Sequence, residues 1–97
     1  MKQCNIIYNP NSGRGTFKSE IHRVTNHLES LGYTWNIYPT EYPKHATKLM
    51  QDHNDADMIL VSGGDGTMNE VLQAVPGMKK IPLIAYIPRG TANDFGK

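Results

Sequence analysis

The sequence predicts an α/β fold with a parallel, doubly wound sheet and flanking helices. Segments with strand-like and helix-like patterns alternate along the 97 residues and are joined by short connections. Residues 58–61 form a continuous apolar run, which is typical of a parallel strand covered on both faces. Loops rich in glycine and small polar residues lead from strand to helix at three points. Such β-α-β units pack with right-handed crossovers.

The first half of the chain contains two predicted strands and two predicted helices. Residues 4–8 are an apolar strand, and a loop of turn-forming residues, 9–15, follows. A helix capped by Thr16 then ends at Gly32, and its apolar residues recur at spacings of three and four: Phe17, Ile21, Val24, Leu28 and Leu31. Residues 34–38, with Trp35 and Ile37 on one face, read as a half-buried strand closed by Pro39. After Pro43 a short amphipathic helix buries Ala46, Leu49 and Met50.

The second half repeats the strand-loop-helix pattern. Residues 58–61 lead into Gly63-Gly64-Asp65-Gly66. Thr67-x-x-Glu70 matches a capping box, so we expect a helix whose apolar residues stop at Pro76-Gly77: Met68, Val71, Leu72 and Val75. Residues 83–87 form another strand. Thr91-x-x-Asp94 then predicts the start of a further helix.

Composition indicates one globular domain, which we place at residues 1–97. The apolar fraction is 38%, the charged fraction is 20% and the net charge is +1, so no basic surface for nucleic acid is expected. Cys4 is the only cysteine, which fits a reducing cytoplasm. Without an apolar run of roughly 20 residues, membrane contact would be peripheral. Because the last residues follow a loop-like segment, we expect the domain to be truncated.

The three loops that begin at Asn9, Gly63 and Pro88 should meet at one edge of the sheet, because each leaves the carboxyl end of a strand. All three lead into helix N-termini, where free N–H groups suit phosphate oxygens. Gly63, Gly64 and Gly66 would allow positive φ angles and close approach of a ligand, while Thr67 would offer a hydroxyl and an N–H. The sequence thus indicates a phosphate-binding edge.

A carboxylate in a phosphate site implies a cation. Asp65 would repel bare phosphate, whereas Mg²⁺ is commonly held by one or two carboxylates together with phosphates. Asp94 on the third loop is the candidate second carboxylate. The alternative interpretations are structural: the glycine turn is a tight connection, the first loop is ordinary, Arg89 is a surface charge, and Asn93 and Asp94 cap a helix.

Several other chemistries find no support. The four histidines lack metal-ligand spacing, and no Ser-His-Asp or Cys-His arrangement can be argued. The glycine motifs lack the third glycine of a dinucleotide fingerprint. Residues 90–97 differ from a P-loop in glycine spacing and have no following Ser or Thr.

Three motifs together resemble the catalytic domain of diacylglycerol kinases, including bacterial lipid kinases: Asn9-Pro10-x-Ser12-Gly13, Gly63-Gly64-Asp65-Gly66-Thr67-x-Asn69-Glu70-Val71, and Pro88-x-Gly90-Thr91-x-Asn93-Asp94-Phe95. The resemblance covers nearly the whole chain but only the N-terminal part of that family's catalytic unit. It implies an NAD kinase/diacylglycerol kinase-like N-terminal domain. The family's second, β-rich domain, which helps bind lipid and supplies the catalytic base, would be absent.

The resemblance implies transfer of the ATP γ-phosphoryl group to a lipid hydroxyl, with ATP and Mg²⁺ as cofactors and diacylglycerol as the first candidate acceptor. The resemblance assigns the positioning of metal and phosphate to Asp65, supported by Asp94. It assigns nucleotide contacts to Asn9, Ser12, Gly13, Thr40, Gly63, Gly64, Gly66, Thr67, Arg89, Gly90, Thr91 and Asn93. A cytoplasmic enzyme acting at the membrane surface is expected, and the chain alone should bind nucleotide weakly without turnover.

Two alternatives remain open. An NAD kinase-like enzyme carries a similar Gly-Gly-Asp-Gly-Thr turn, although residues 88–95 argue against it. A non-catalytic nucleotide-binding module that self-associates through an uncovered sheet edge is the other.

Overall fold

The computed structural model describes residues 2–10 and 17–88. For residues 17–20, Asp65 and Pro88 it describes the backbone only. The elements in chain order are β1 (Lys2–Tyr8), α1 (Phe17–Ser30), β2 (Tyr33–Pro39), α2 (His45–Asp52), β3 (Met58–Gly63), α3 (Asp65–Gln73), a 3₁₀ turn (Val75–Gly77) and β4 (Leu83–Pro88). The predicted strands and the predicted helices within these ranges are confirmed.

The four strands form one parallel sheet in the order β2-β1-β3-β4. The chain leaves β1 for β2 on one side and later returns to β3 on the other side. This reversal makes the sheet doubly wound, as the sequence predicted, and places a switch point between β1 and β3.

Side chains alternate between the two faces of the central strands. On the first face, α1 packs through Leu28 against Cys4, Ile6 and Leu60. On the second face, α2 and α3 cover the other central residues, and the buried cluster comprises Ile7, Ala46, Leu49, Met50, Ile59, Val61, Val71 and Ala74. All six residues of β3 are buried, which explains why its sequence is apolar without alternation.

The buried Cys4 thiol lies on the α1 face and is fully enclosed. Loss of hydration raises its pKa from 9.0 to about 11, and a backbone hydrogen bond with Leu60 opposes the rise. The thiol therefore stays protonated in the fold, and Cys4 serves as a packing residue, as expected from the sequence.

Two apolar residues predicted for buried helix faces are exposed instead. Leu31 lies beyond the end of α1 and is 58% exposed, because the chain turns at Gly32, whose φ of 87° is left-handed. Leu72 is 45% exposed because the buried residues of α3 are Thr67 and Val71, followed by Ala74 just after the helix. Among the residues that the structure describes, no helix has the length and apolar character needed to cross a bilayer.

Candidate functional site

The carboxyl ends of the four strands meet at one edge of the sheet. Tyr8 of β1 is level with Pro39 of β2 and Ser62 of β3, and Gly63 is level with Pro88 of β4. The described ends of β1, β3 and β4, where the three loops were predicted to begin, therefore lie at the same edge, as the sequence predicted. In doubly wound sheets, ligands bind in the crevice at this edge, at the switch point between the strands.

Asn9 occupies that switch point and joins the ends of β1 and β3. Its backbone N–H donates to the carbonyl of Ser62 at 3.0 Å. Its side-chain Nδ2 donates to the Thr67 hydroxyl at 3.4 Å. The first loop and the glycine turn are thus in direct contact, although 58 residues of chain separate these two side chains.

Gly63 is required by packing at this junction. A Cβ added there would lie 2.7 Å from Thr67 Oγ1, 3.0 Å from Thr67 Cβ and 3.3 Å from Asn9 Cβ. The Gly63 carbonyl also accepts a hydrogen bond from the Tyr86 hydroxyl at 3.3 Å. The absence of a side chain at residue 63 lets the start of α3 come close to the end of β1.

Gly66 differs from Gly63, because a Cβ added there would meet nothing within 4 Å. It is exposed in the first turn of α3, where the N–H groups of Asp65 and Gly66 have no acceptor within the helix. Open space and helix-start donors at the switch point fit a phosphate group. The residues present therefore suit the polyphosphate of a nucleotide.

Two local predictions for the glycine turn are wrong. None of Gly63, Gly64 and Gly66 takes a positive φ; Gly64 is extended, with φ −84° and ψ 179°. Nor do Thr67 and Glu70 form a capping box, because α3 already begins at Asp65 and the Thr67 N–H donates to the Gly64 carbonyl at 3.0 Å. Because its N–H is used in this way, Thr67 retains only its hydroxyl for the predicted ligand contact, and the residue as a whole is 5% exposed.

Thr40 lies on the other side of Asn9. It follows β2, its N–H donates to the Tyr8 carbonyl at 2.8 Å, and its side chain is buried. The described candidates brought together at this edge are thus Asn9, Thr40, Gly63, Gly64, Gly66 and Thr67, with the backbone of Asp65 among them.

The remaining candidates lie outside the described residues: Ser12, Gly13, Arg89, Gly90, Thr91, Asn93 and Asp94. Among the side chains that the structure describes, no three His, Cys, Asp or Glu residues are grouped to hold a metal ion. The proposed Mg²⁺ pair, Asp65 and Asp94, is not tested by that finding, because neither side chain is in the described set.

Comparison with known proteins decides the family. A model of the diacylglycerol kinase catalytic domain matches residues 3–97. The chain belongs to the diacylglycerol kinase catalytic domain family. It is 40% identical to a diacylglycerol kinase of Staphylococcus carnosus (strain TM300), over 99% of this chain and 32% of the relative. It is also 40% identical to a diacylglycerol kinase of Staphylococcus aureus (strain JH9), over 99% of this chain and 31% of the relative.

Solved structures agree with the family assignment. A crystal structure of a diacylglycerol kinase from Bacillus anthracis str. Sterne matches with a TM-score of 0.77 and 30% identity, over 97% of this chain and 35% of that one. A second structure from that organism gives a TM-score of 0.80 and 31% identity, over 97% of this chain and 34% of that one. The chain spans about a third of the length of these diacylglycerol kinases.

Contacts around Glu70 were missed by sequence reasoning. Its carboxylate accepts a hydrogen bond from the Lys44 N–H at 3.1 Å, and its backbone carbonyl accepts one from the Thr47 hydroxyl at 2.7 Å. Lys44 has a φ of 69°, which is unusual for a residue with a side chain. No local sequence pattern signals a contact between residues this far apart, and the apparent capping box assigned Glu70 to a different partner.

Proposed function

We propose that this chain is the ATP-binding part of a lipid kinase that transfers the ATP γ-phosphoryl group to a lipid hydroxyl, with diacylglycerol as the first candidate acceptor. The observation that carries the proposal is the contact of Asn9 with Thr67 beside the open first turn of α3. Two separate motifs of the family meet there, at the switch point of a parallel sheet and beside the start of α3, the kind of place where phosphate groups bind.

The chain's own residues would bind and orient the nucleotide. The N–H groups of Asp65 and Gly66 would donate to phosphate oxygens, and the exposed Gly66 would let the polyphosphate approach the backbone. ATP, when bound, supplies the phosphoryl group. The proposed nucleotide contacts are Asn9, Ser12, Gly13, Thr40, Gly63, Gly64, Gly66, Thr67, Arg89, Gly90, Thr91 and Asn93.

Mg²⁺ would be held by Asp65, with Asp94 as the supporting carboxylate. A carboxylate at the start of a helix that faces phosphates suits a hard cation with oxygen ligands. Transfer itself needs the acceptor hydroxyl aligned with the phosphate and a group to receive its proton. We place those functions in the parts of the complete protein that correspond to the other two thirds of its relatives.

The chain alone is therefore expected to bind Mg·ATP weakly and to transfer no phosphate. Because the acceptor is a membrane lipid, the complete protein would work in the cytoplasm at the membrane surface. We also keep self-association as a proposal, since β4 is one of the two edge strands of the described sheet and Leu83 on it is 62% exposed. Sedimentation at several concentrations tests it, and a monomer throughout would contradict it.

The deciding experiment measures transfer of labelled γ-phosphate by the complete protein that carries this chain. Diacylglycerol and sphingoid bases in mixed micelles, and NAD in solution, are offered in parallel. We expect labelled phosphatidic acid, dependent on Mg²⁺. If only NAD is labelled, the proposal of a lipid kinase is wrong and the protein is an NAD kinase-like enzyme. If only sphingoid bases are labelled, the protein is a lipid kinase whose acceptor is a sphingoid base.

Asp65→Asn tests the metal role in the same assay and in binding. Asn keeps the size of the side chain but lacks the charge that Mg²⁺ prefers. We expect Mg²⁺-dependent ATP binding to fall by at least about tenfold, which corresponds to about 1.4 kcal/mol. Gln73→Ala, an exposed position at the end of α3 and outside the motif, is the control. Equal affinity of wild type and Asp65→Asn would remove Asp65 from the metal site.

A further inference from the structure

A cavity of about 440 Å³ lies at the edge of the sheet opposite the candidate nucleotide site. Its walls come from the end of α2, the connection from α2 to β3 and the segment that joins α3 to β4. These connections lead into the first residues of β3 and β4, whereas the candidate nucleotide site lies at the last residues of the strands. β3 has six residues, so the two edges are roughly 20 Å apart. The described residues that line the cavity include Gln51, Asn54, Gly77, Met78, Lys79 and Lys80.

Hydrogen bonds to the backbone hold two walls of this cavity. On the α2 side, Asn54 Nδ2 donates to the Gln51 carbonyl at 3.0 Å. On the other side, the Met78 N–H donates to the Val75 carbonyl at 3.0 Å and closes the 3₁₀ turn. The cavity is therefore formed without a ligand, and its volume falls in the range of about 300–1,000 Å³ that is usual for small-molecule sites.

The charged groups of the cavity are both positive. Lys79 and Lys80 are exposed, and no carboxylate lines the cavity among the residues that the structure describes. The ion pair found within the described part of the chain joins Lys48 to Asp52, so neither Lys79 nor Lys80 is paired with a described carboxylate. Ammonium groups on two consecutive residues attract an anion, and lysine is a common partner of phosphate.

The other lining groups suit hydroxyls and a short carbon skeleton. The side-chain amides of Gln51 and Asn54 can donate to and accept from hydroxyl groups. Met78 adds apolar surface, and Gly77 leaves room, because a Cβ added there would meet nothing within 4 Å. The cavity thus combines positive charge, amides and some apolar surface.

We propose that this cavity binds a small, soluble polyol phosphate, with its phosphate on Lys79 and Lys80 and its hydroxyls on the amides of Gln51 and Asn54. The phosphate of a lipid head group has the same chemistry. A bilayer docked at this edge would lie roughly 20 Å from the edge where phosphoryl transfer is proposed, which favours the soluble ligand. The inference goes beyond the proposed function and does not rest on it.

Titration of the 97-residue chain with sn-glycerol 3-phosphate, followed by amide resonances in nuclear magnetic resonance at constant ionic strength, tests this. We expect saturable shifts at residues 77–80, Gln51 and Asn54. Glycerol, which has no charge, should leave these resonances in place. No shifts, or shifts confined to residues 63–67 at the nucleotide edge, would overturn the inference.

Replacing both lysines tests the charge. The double variant Lys79→Gln and Lys80→Gln should bind at least about tenfold more weakly, whereas Lys79→Arg with Lys80→Arg keeps both charges and should stay within about threefold of wild type. Lys48→Gln is the matched control, because it removes an exposed lysine of α2 that does not line the cavity. It should bind as wild type does, and a loss equal to that of the double Gln variant would overturn the inference.

Gly77→Leu tests the cavity itself. It adds a side chain at the cavity wall without a clash and without a change of charge, so binding should weaken by at least about fivefold. Unchanged binding in Gly77→Leu would show that surface charge alone holds the anion, and the cavity would be rejected. Should Gly77→Leu fail to fold, Gln51→Ala takes its place, because it removes an exposed amide of the same cavity, and a loss of at least about threefold is expected.

Two competing roles of the lysines are separated by further measurements. α2 and the 3₁₀ turn end near the cavity with no basic residue in their last turns, so the lysines could serve only to offset the negative ends of these helices. In that case the double Gln variant would lose stability in urea but bind sn-glycerol 3-phosphate as wild type does, which would overturn the inference. Sedimentation with vesicles of phosphatidylglycerol and phosphatidylcholine, without any shift from sn-glycerol 3-phosphate, would assign the lysines to a membrane surface and overturn it as well.

Discussion

Two glycines in one turn should respond oppositely to the same substitution. Gly63→Ala places a Cβ 2.7 Å from Thr67 Oγ1 and 3.0 Å from Thr67 Cβ. Thr67 is β-branched, lies within α3 and is hydrogen-bonded to Asn9, so it has little freedom to move. We expect a loss of about 1–3 kcal/mol in the free energy of unfolding, the usual cost of overpacking.

Gly66→Ala introduces the same methyl group where nothing lies within 4 Å. Alanine is a better helix former than glycine and reduces the entropy of the unfolded chain, so a gain of about 0.5 kcal/mol is expected in the first turn of α3. The same methyl would stand in front of the helix-start N–H groups. ATP affinity should therefore fall by about tenfold while stability rises.

Urea unfolding followed by the fluorescence of Trp35, the single tryptophan, measures both stability changes. With an m value of about 1 kcal/mol/M, the midpoint of Gly63→Ala should drop by about 1–3 M. In the Thr67→Ala background the cost of Gly63→Ala should shrink, because the 2.7 Å contact is gone. If Gly63→Ala were as stable as Gly66→Ala, the packing argument would be refuted, and unchanged ATP affinity in Gly66→Ala would remove Gly66 from the site.

Three further changes test the fold around the site. Asn5→Ala should lower the free energy of unfolding in urea by about 1–3 kcal/mol, because buried Asn5 donates to the His53 carbonyl at 2.8 Å. Asn36→Ala removes only a 3.4 Å, part-buried donor to Asn5 Oδ1 from an exposed residue and should cost under about 0.5 kcal/mol; similar costs for the two variants would contradict this. Between pH 9 and 11 the free energy of unfolding of wild type should fall by up to about 3 kcal/mol relative to Cys4→Ala. The reason is that the Cys4 thiol has a pKa of 9.0 in the unfolded chain and of about 11 in the fold, so only the unfolded chain ionises in this range. Stability that changes with pH in the same way in both proteins would exclude this. Lys44→Gly should gain up to about 1 kcal/mol by relieving the left-handed backbone, and a clear loss of thermal stability would argue against strain there.

The spacing of apolar residues along the sequence was enough to predict most of the fold. The unbroken apolar run at residues 58–61 identified a strand covered on both faces, and the alternation of strand and helix implied a parallel sheet whose carboxyl ends share one edge. From that, the meeting of Asn9 with the glycine turn could be expected without coordinates. The motif residues supplied the family, which the comparison confirmed.

Local backbone detail could not be predicted in the same way. The glycines at 63 and 64 suggested left-handed turns, yet the space taken by Thr67 and Asn9, which is a property of the packed molecule, explains Gly63. Glu70 fitted a capping box by spacing, but a partner distant in sequence, Lys44, takes its carboxylate. Tertiary contacts override local propensity at both places, and no pattern within a few residues records them.

The parallel arrangement also constrains how the molecule can be made. Among the four strands that the structure describes, none pairs with a strand joined to it by a hairpin: Cys4 aligns with Met58, and Met58 with Leu83. During synthesis the apolar β1 therefore lacks its inner neighbour until Gly63 has left the ribosome, and non-local pairings of this kind form slowly. A nascent chain that stops before that residue would expose the apolar side of an incomplete sheet and be prone to aggregate. The segment ending at Gly63 is therefore the shortest nascent chain in which the two central strands can pair.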